Sequence, residues 1–404
     1  MPSLFGVLLL LLACGQRPGS DPTQTQGEAE QGEANSEGAD GRPEKLPAPA
    51  TSDKSAIIRA LTAENASLRR QLAEGARPDP YASLGIINSH EHLHSLKYLD
   101  GYLQAARRAN VAATVFVASP SFTLFGKGEK GEPGMSENFD ELLKAAAAYP
   151  GEVIPFCTLD PHDPDKLARL KRHVAAGARG LKLYSGHSNF YDGPLNAPGM
   201  DEVLSYLEET GLPLNWHVHL GKYADELAVI LNAHPRLNIM VPHYGVAFWQ
   251  PRSRSMAALH QLLAAHRNLY IDTSLGTREI LLDGMAVMEQ DPMVFLELFR
   301  QFPDQIIWGT DSVVTGNSEK TPAWFSRVIW ATRDQLERDV LFTDLAAGFS
   351  KYYQTGRDAN GRYKGLNLDP ALLRKVYHDN PMAWLKLEQS PTPPVAPGQV
   401  PAAP

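Results

Sequence analysis

Short apolar runs recur along most of this chain, and polar residues with metal-binding or acid–base chemistry stand at their ends. Between about 80 and 388 there are eight such runs: Leu84–Ile87, Ala113–Ala118, Val153–Cys157, Gly180–Tyr184, Leu214–Val218, Asn238–Pro242, Leu269–Asp272 and Gln305–Trp308. Each has the length of a buried strand. The segments 138–149, 163–176, 200–210, 222–233 and 255–266 place apolar residues at helical spacing. Strands alternating with helices over a span of roughly 300 residues predict an α/β fold, a (β/α)8 TIM barrel over 80–388. A doubly wound open sheet is the alternative. The absence of a Gly-x-Gly-x-x-Gly loop after the first run counts against it.

The flanks read differently. Leu4 to Leu12 form an apolar stretch too short to span a bilayer, ending in Leu11-Leu12-Ala13-Cys14. That ending resembles the lipobox of bacterial lipoproteins, although Met1-Pro2-Ser3 lacks the usual Lys or Arg. The resemblance implies a signal peptide over 1–14, lipidation of Cys14 and a membrane anchor in the bacterial cell envelope. Gly15, where an Asp would signal inner-membrane retention, points toward the outer membrane over the periplasmic face of the inner one. Residues 15–54 are rich in Gly, Glu, Gln, Ser and Pro, and predict a disordered tether. Across 55–76, Ile58, Leu61, Asn65, Leu68 and Leu72 follow a/d spacing, which suits a short coiled coil or a single amphipathic helix equally. The Pro- and Ala-rich segment 389–404 predicts a disordered tail.

Composition narrows the partners. Of 404 residues, 43% are hydrophobic and 21% charged, enough for a sizeable core, and the net charge of −8 argues against a nucleic-acid partner. The two cysteines, Cys14 and Cys157, do not make a disulfide framework. A small-molecule substrate is the expected partner, and a homo-oligomer is compatible with everything in the sequence.

The chemistry clusters where a barrel would use it, at the C-terminal strand ends. The first run leads into Asn88-Ser89-His90-Glu91-His92. Two residues apart on an extended segment, His90 and His92 project to one side and can reach one ion. His94 leaves the pairing ambiguous. The fifth run carries His217 and His219, the sixth His243, and the eighth Asp311. Any one of these is as readily a capping or core residue, but four strand ends in one barrel are not easily coincidence.

Taken together, 84–388 resembles the amidohydrolase superfamily, nearest the branch containing aminocarboxymuconate-semialdehyde decarboxylase. The matching stretches are His90-Glu91-His92, Tyr149-Pro150 to Asp160-Pro161, Gly177 to Leu183, Gly211-Leu212-Pro213 to His217, Pro235 to His243-Tyr244-Gly245, Gly309-Thr310-Asp311 and Asp379-Asn380-Pro381. The family's Asp ahead of the histidine pair is Asn88 here. The resemblance implies a metal-dependent hydrolase with His90, His92, His217 and Asp311 as ligands of a divalent ion, Zn2+ by preference. It implies His243 and Asp311 as catalytic acid–base groups, with His243 alternatively serving a second metal. It also leaves Lys182 two roles, a carbamylated bridge between two metals or a charge facing the substrate. One ion is preferred to two, and His94 falls outside the motif.

Phe122 and Phe125 follow the second run, and 126–134 reads as a lid. Tyr184, His187, His219, Trp249 and Arg278 lie past other strands; Tyr184, His219, Trp249 and Arg278 are candidate substrate contacts. The expected reaction is hydrolysis of an amide, ester or lactone. The alternatives are nonoxidative decarboxylation and a catalytically inactive, surface-anchored binding protein.

Overall fold

A computed structural model of the chain describes residues 79–125, 134–187, 191–247, 253–276, 279–342 and 362–388. The lipobox, the tether, the 55–76 segment, nearly all of the 126–134 lid, Trp249, Arg278 and the 389–404 tail lie outside the described residues. Among the described residues no helix is long and apolar enough to cross a membrane.

Eight parallel strands follow one another around a barrel in chain order. They are β1 (Ile86–His92), β2 (Val111–Val117), β3 (Val153–Thr158), β4 (Leu181–Leu183), β5 (Leu214–Trp216), β6 (Ile239–Val241), β7 (Leu269–Asp272) and β8 (Ile306–Ile307). Helices return the chain between them, among them α1 (Leu99–Arg108), α2 (Met135–Ala148), α3 (Lys166–Ala176), α4 (Met200–Thr210), α5 (Leu220–Ala233) and α6 (Arg254–Ala265). This is a (β/α)8 TIM barrel. Its strands are covered on both faces, which is why they read as near-continuous apolar runs and not as alternating ones.

Alternation reappears as two cores. Ile87, Val115, Val117, Phe156, Met240 and Ile307 form one cluster with Trp384 and Leu385. Their neighbours Ile86, Phe116, Leu181, Trp216 and Ile271 join a second, larger cluster with helix residues such as Leu142, Leu204, Leu227 and Leu259. The first cluster is the barrel interior, and the C-terminal helix Asn380–Leu385 closes its floor. Asn380 fixes that helix by donating from Nδ2 to Pro303 O and Ile306 O, both at 2.8 Å.

Strand boundaries depart from the apolar runs where polar side chains are involved. β1 begins two residues later than its run and continues through five polar residues to His92, all of them buried. Its pairing with β2 shifts register between Asn88 and Glu91. β8 is short, Ile306 and Ile307, and Gln305 before it donates from Nε2 to the carbonyls of Leu263, His266 and Leu269. The ring closes between β8 and β1 through Ser89 N to Trp308 O (3.0 Å), Asp311 N to His90 O (2.9 Å) and Val314 N to His92 O (2.7 Å).

Candidate metal centre

At the C-terminal ends of β1, β7 and β8, three ligand atoms from His90, His92 and Asp311 lie within 4.8 Å of one another. The hydrogen bonds behind these histidines decide which nitrogen faces the centre. His90 Nδ1 donates to Asp272 Oδ2 at 2.8 Å, leaving Nε2 without a proton. Ser119 Oγ donates to Val117 O at 3.0 Å and therefore accepts from His92 Nδ1 at 2.6 Å. His92 Nε2 faces Asp311 Oδ1 at 3.1 Å. That carboxylate oxygen is buried and has no hydrogen bond of ordinary geometry. An imidazole nitrogen and a carboxylate oxygen this close share a cation, either a proton on the ring or a metal ion. The donor set of imidazole and carboxylate suits a divalent transition metal, zinc by preference.

His243 stands beside this group. Its Nδ1 donates to Ser274 O at 3.1 Å, and its Nε2 lies 3.6 Å from Asp311 Oδ2. The His243 ring centroid is 5.3 Å from that of His90 and 4.9 Å from that of His217. Lys182 is fully buried, donates from Nζ to Asn215 Oδ1 at 2.9 Å and lies 3.5 Å from His90 Nε2. Burial lowers the Lys182 ammonium to about 8, with Asp311 and Asp272 opposing the shift. Burial and the neighbouring Lys182 lower His90 to about 4. Burial alone would raise Asp311, but His90, His92 and His243 together hold its carboxyl far below the usual range.

Two carboxylates that the apolar runs did not single out build this centre. Asp272 ends β7 and accepts four bonds: His90 Nδ1 on Oδ2, and His243 N (2.8 Å), Ser274 N (3.0 Å) and Ser274 Oγ (2.6 Å) on Oδ1. Its signal was available, since it closes a strand just as Asp311 does. Glu91, between the two histidines, points away from the centre into the β8 loop. It accepts from Thr310 Oγ1 (2.7 Å), Ser312 N (3.0 Å), Ser312 Oγ (2.5 Å), Val313 N (2.6 Å) and His92 N (2.9 Å). Burial raises the Glu91 carboxyl, and the Ser312 bond opposes that rise. These bonds hold a turn in which Asp311 (φ 51°) and Val313 (φ 55°) both occupy the left-handed region, a conformation that needs external support. Gly309 serves the same approach: a Cβ there would meet His90 Cβ at 3.0 Å.

Asn88, the departure from the family's Asp, has a role an aspartate could not fill. Its Nδ2 donates to Tyr102 OH and Thr310 Oγ1, both at 2.7 Å, while Oδ1 accepts from Thr310 N at 3.1 Å. A carboxylate would lose both donations and add a second buried charge near Glu91.

The remaining candidates separate. His217 groups with His187 and His219, its ligand nitrogen within 4.8 Å of theirs, and is absent from the group of His90, His92 and Asp311. Tyr184 is buried behind His92, its hydroxyl donating to Ala118 O at 2.8 Å. His94 lies in an aromatic cluster, its ring centroid 4.7 Å from Phe125 and 5.6 Å from Tyr98.

A (β/α)8 barrel with a His-x-His strand, an Asp in the loop after β8 and a buried carboxylate behind His90 carries the residues of a candidate metal site. A family model described as amidohydrolase matches residues 87–387. The chain belongs to the amidohydrolase family and is an enzyme of that superfamily. Among solved structures, a protein from Acinetobacter baumannii, described as a 2-pyrone-4,6-dicarboxylic acid hydrolase with citric acid bound, is similar at 16% identity. The alignment covers 75% of this chain and 99% of that one, with a TM-score of 0.50. A Pseudomonas putida protein described in the same terms is similar at 18% identity over 76% of this chain and 99% of its own, again with a TM-score of 0.50. No curated protein matches.

Proposed function

We propose that this enzyme hydrolyses an amide, ester or lactone of a small, carboxylate-bearing substrate, with a divalent ion, Zn2+ by preference, held by His90, His92 and Asp311. The observation that carries the reading is the grouping of His90, His92 and Asp311, with His92 Nε2 and Asp311 Oδ1 facing each other 3.1 Å apart in a buried centre. A divalent ion bound there supplies a polarised substrate carbonyl and a water acidic enough to attack near neutral pH.

The chain's own residues do the rest. Asp272 keeps the proton of His90 on Nδ1, so that Nε2 remains a ligand. Ser119 does the same for His92. Asp311 is positioned to take a proton from attacking water, and His243 Nε2, 3.6 Å from its Oδ2, to receive that proton and return it to the leaving group. Lys182, on the same wall, offers an ammonium to a substrate carboxylate, which is the chemistry of the dicarboxylate named for the similar structures.

The test uses the full chain, a chelator and a panel of lactones, amides and esters carrying a carboxylate. Chelation should abolish activity and added Zn2+ should restore it, with one acid equivalent released per ester or lactone, one amine per amide, and no carbon dioxide. Asp311→Asn should lower the rate by about 10²–10⁴-fold. Release of carbon dioxide in place of acid would make the enzyme a decarboxylase. Full activity in Asp311→Asn would remove the residue from the mechanism.

A further inference from the structure

Past His92 the first two strands part company. The pairing of β1 with β2 ends at His92 and Val117. Beyond that point β1 leans toward the β8 side: Leu93 forms a bridge with Val314, and His94 N donates to Val314 O at 2.8 Å. β2 leans the other way, with Ala118 N donating to Phe156 O of β3 at 2.9 Å. The gap opens beside His92 and Ser119, whose Nδ1 and Oγ meet at 2.6 Å. A ladder that stops here leaves the backbone of both residues to find other partners.

One side chain from α2 spans that gap. Asn138 lies in the first turn of the helix, buried on the same face as Leu142 and Ala145 at helical spacing. Its Oδ1 accepts from Ser119 N at 2.8 Å. Its Nδ2 donates to Leu93 O at 2.7 Å and to His94 O at 3.1 Å. A carboxamide carries both the donor and the acceptor of a peptide group, so it stands in for the ladder bonds that the diverging strands give up. An aspartate would set an oxygen against two carbonyls, and an apolar residue would strip Ser119 N of its acceptor. The amide is therefore chemically specified at a position where the helix pattern calls for an apolar side chain.

We propose that Asn138 is a positioning residue for His92, acting through Ser119. It grips the carbonyl of the residue that follows His92 and the amide of the residue that bonds its ring. Both partners of the 2.6 Å contact are thus fixed from a single point on α2. Tyr184 steadies the far side, its hydroxyl donating to Ala118 O at 2.8 Å and lying 3.1 Å from Ser119 Oγ. The inference rests on the reading of His92 as a ligand of a divalent ion. Support of this kind sets the direction of a ligand's lone pair and so the affinity for the ion.

The experiment is calorimetric Zn2+ titration of the chelator-stripped full chain, supported by the visible spectrum of the Co2+ form. Asn138→Ala should weaken Zn2+ binding by roughly 10–100-fold and shift the Co2+ bands. Asn138→Leu, close to asparagine in size and suited to a buried helix face, should show the same loss and guards against a variant that fails to fold. Leu142→Ala, a truncation on the same face of α2, should lower the unfolding midpoint while leaving Zn2+ affinity and the Co2+ spectrum at wild-type values. In the Ser119→Ala background, Asn138→Ala should weaken binding by no more than about threefold further, because the two residues act in series. Equal losses in Leu142→Ala and Asn138→Leu, or losses that multiply fully in the double variant, would overturn the proposal. Wild-type affinity in Asn138→Ala with affinity lost in His92→Ala would overturn it and keep the metal reading. Undiminished affinity in His92→Ala would overturn both.

Discussion

The two histidine groups at the barrel mouth use the same ring chemistry but are built differently. On the β1–β7–β8 side every ring is held from behind: Asp272 holds His90 and Ser119 holds His92. Glu91 fixes the loop carrying Asp311 through bonds to three of its residues, Thr310, Ser312 and Val313. On the β4–β5 side the rings of His187, His217 and His219 are partly buried, and backbone carries the arrangement through Gly186. One group is held by two supporting carboxylates, Asp272 and Glu91, that are saturated with donors; the other depends on the path of a loop. The lesson is that ligand geometry can be enforced either by side-chain hydrogen bonds or by chain conformation.

Substitutions can separate the two. Asp272→Asn should have the largest effect, because Asp272 accepts four bonds and an amide would turn donors toward donors. Zn2+ affinity at the His90–His92–Asp311 group should fall by roughly 10–100-fold in calorimetric titration. Unchanged affinity would dissolve the distinction between the groups. Glu91→Gln should cost about 1–3 kcal/mol in denaturant unfolding, since the amide nitrogen displaces either Oε1, which accepts from His92 N and Val313 N, or Oε2, which accepts from Thr310 Oγ1, Ser312 N and Ser312 Oγ. The same variant should loosen the His90–His92–Asp311 group. Gly186→Ala should have the smallest effect on stability, about 1–2 kcal/mol for forcing a Cβ into positive φ. It should leave Zn2+ binding at His90, His92 and Asp311 intact; loss of Zn2+ there in this variant would show the two groups to be one.

The eight strands were legible because parallel strands covered on both faces are largely apolar, and each apolar run overlaps one. His90, His92, His217, His243 and Asp311 were legible because each lies within an apolar run or a few residues past its end. What stayed hidden was pairing across long separations. Asp272 meets His90 across 182 residues and Glu91 meets Val313 across 222, and no local pattern encodes such partners. Glu91 was further obscured by its neighbours, since in an alternating strand the residue between two ligands points away from them. The grouping of His187 with His217 required the left-handed turn at Gly186, which shows in sequence only as one glycine among 32.

Glu91 also ties the appearance of chemistry to the order of synthesis. The strand that carries it is the first of the barrel to leave a ribosome, and the turn that satisfies it is made after all the other strands. Until β8 arrives, that carboxylate has only the His92 amide to receive, and Asp311 has no reason to adopt its left-handed turn. The nascent barrel is therefore inert through most of its own translation. Ring closure and completion of the candidate metal centre are one event, reached only when contacts between the first and last strands have formed.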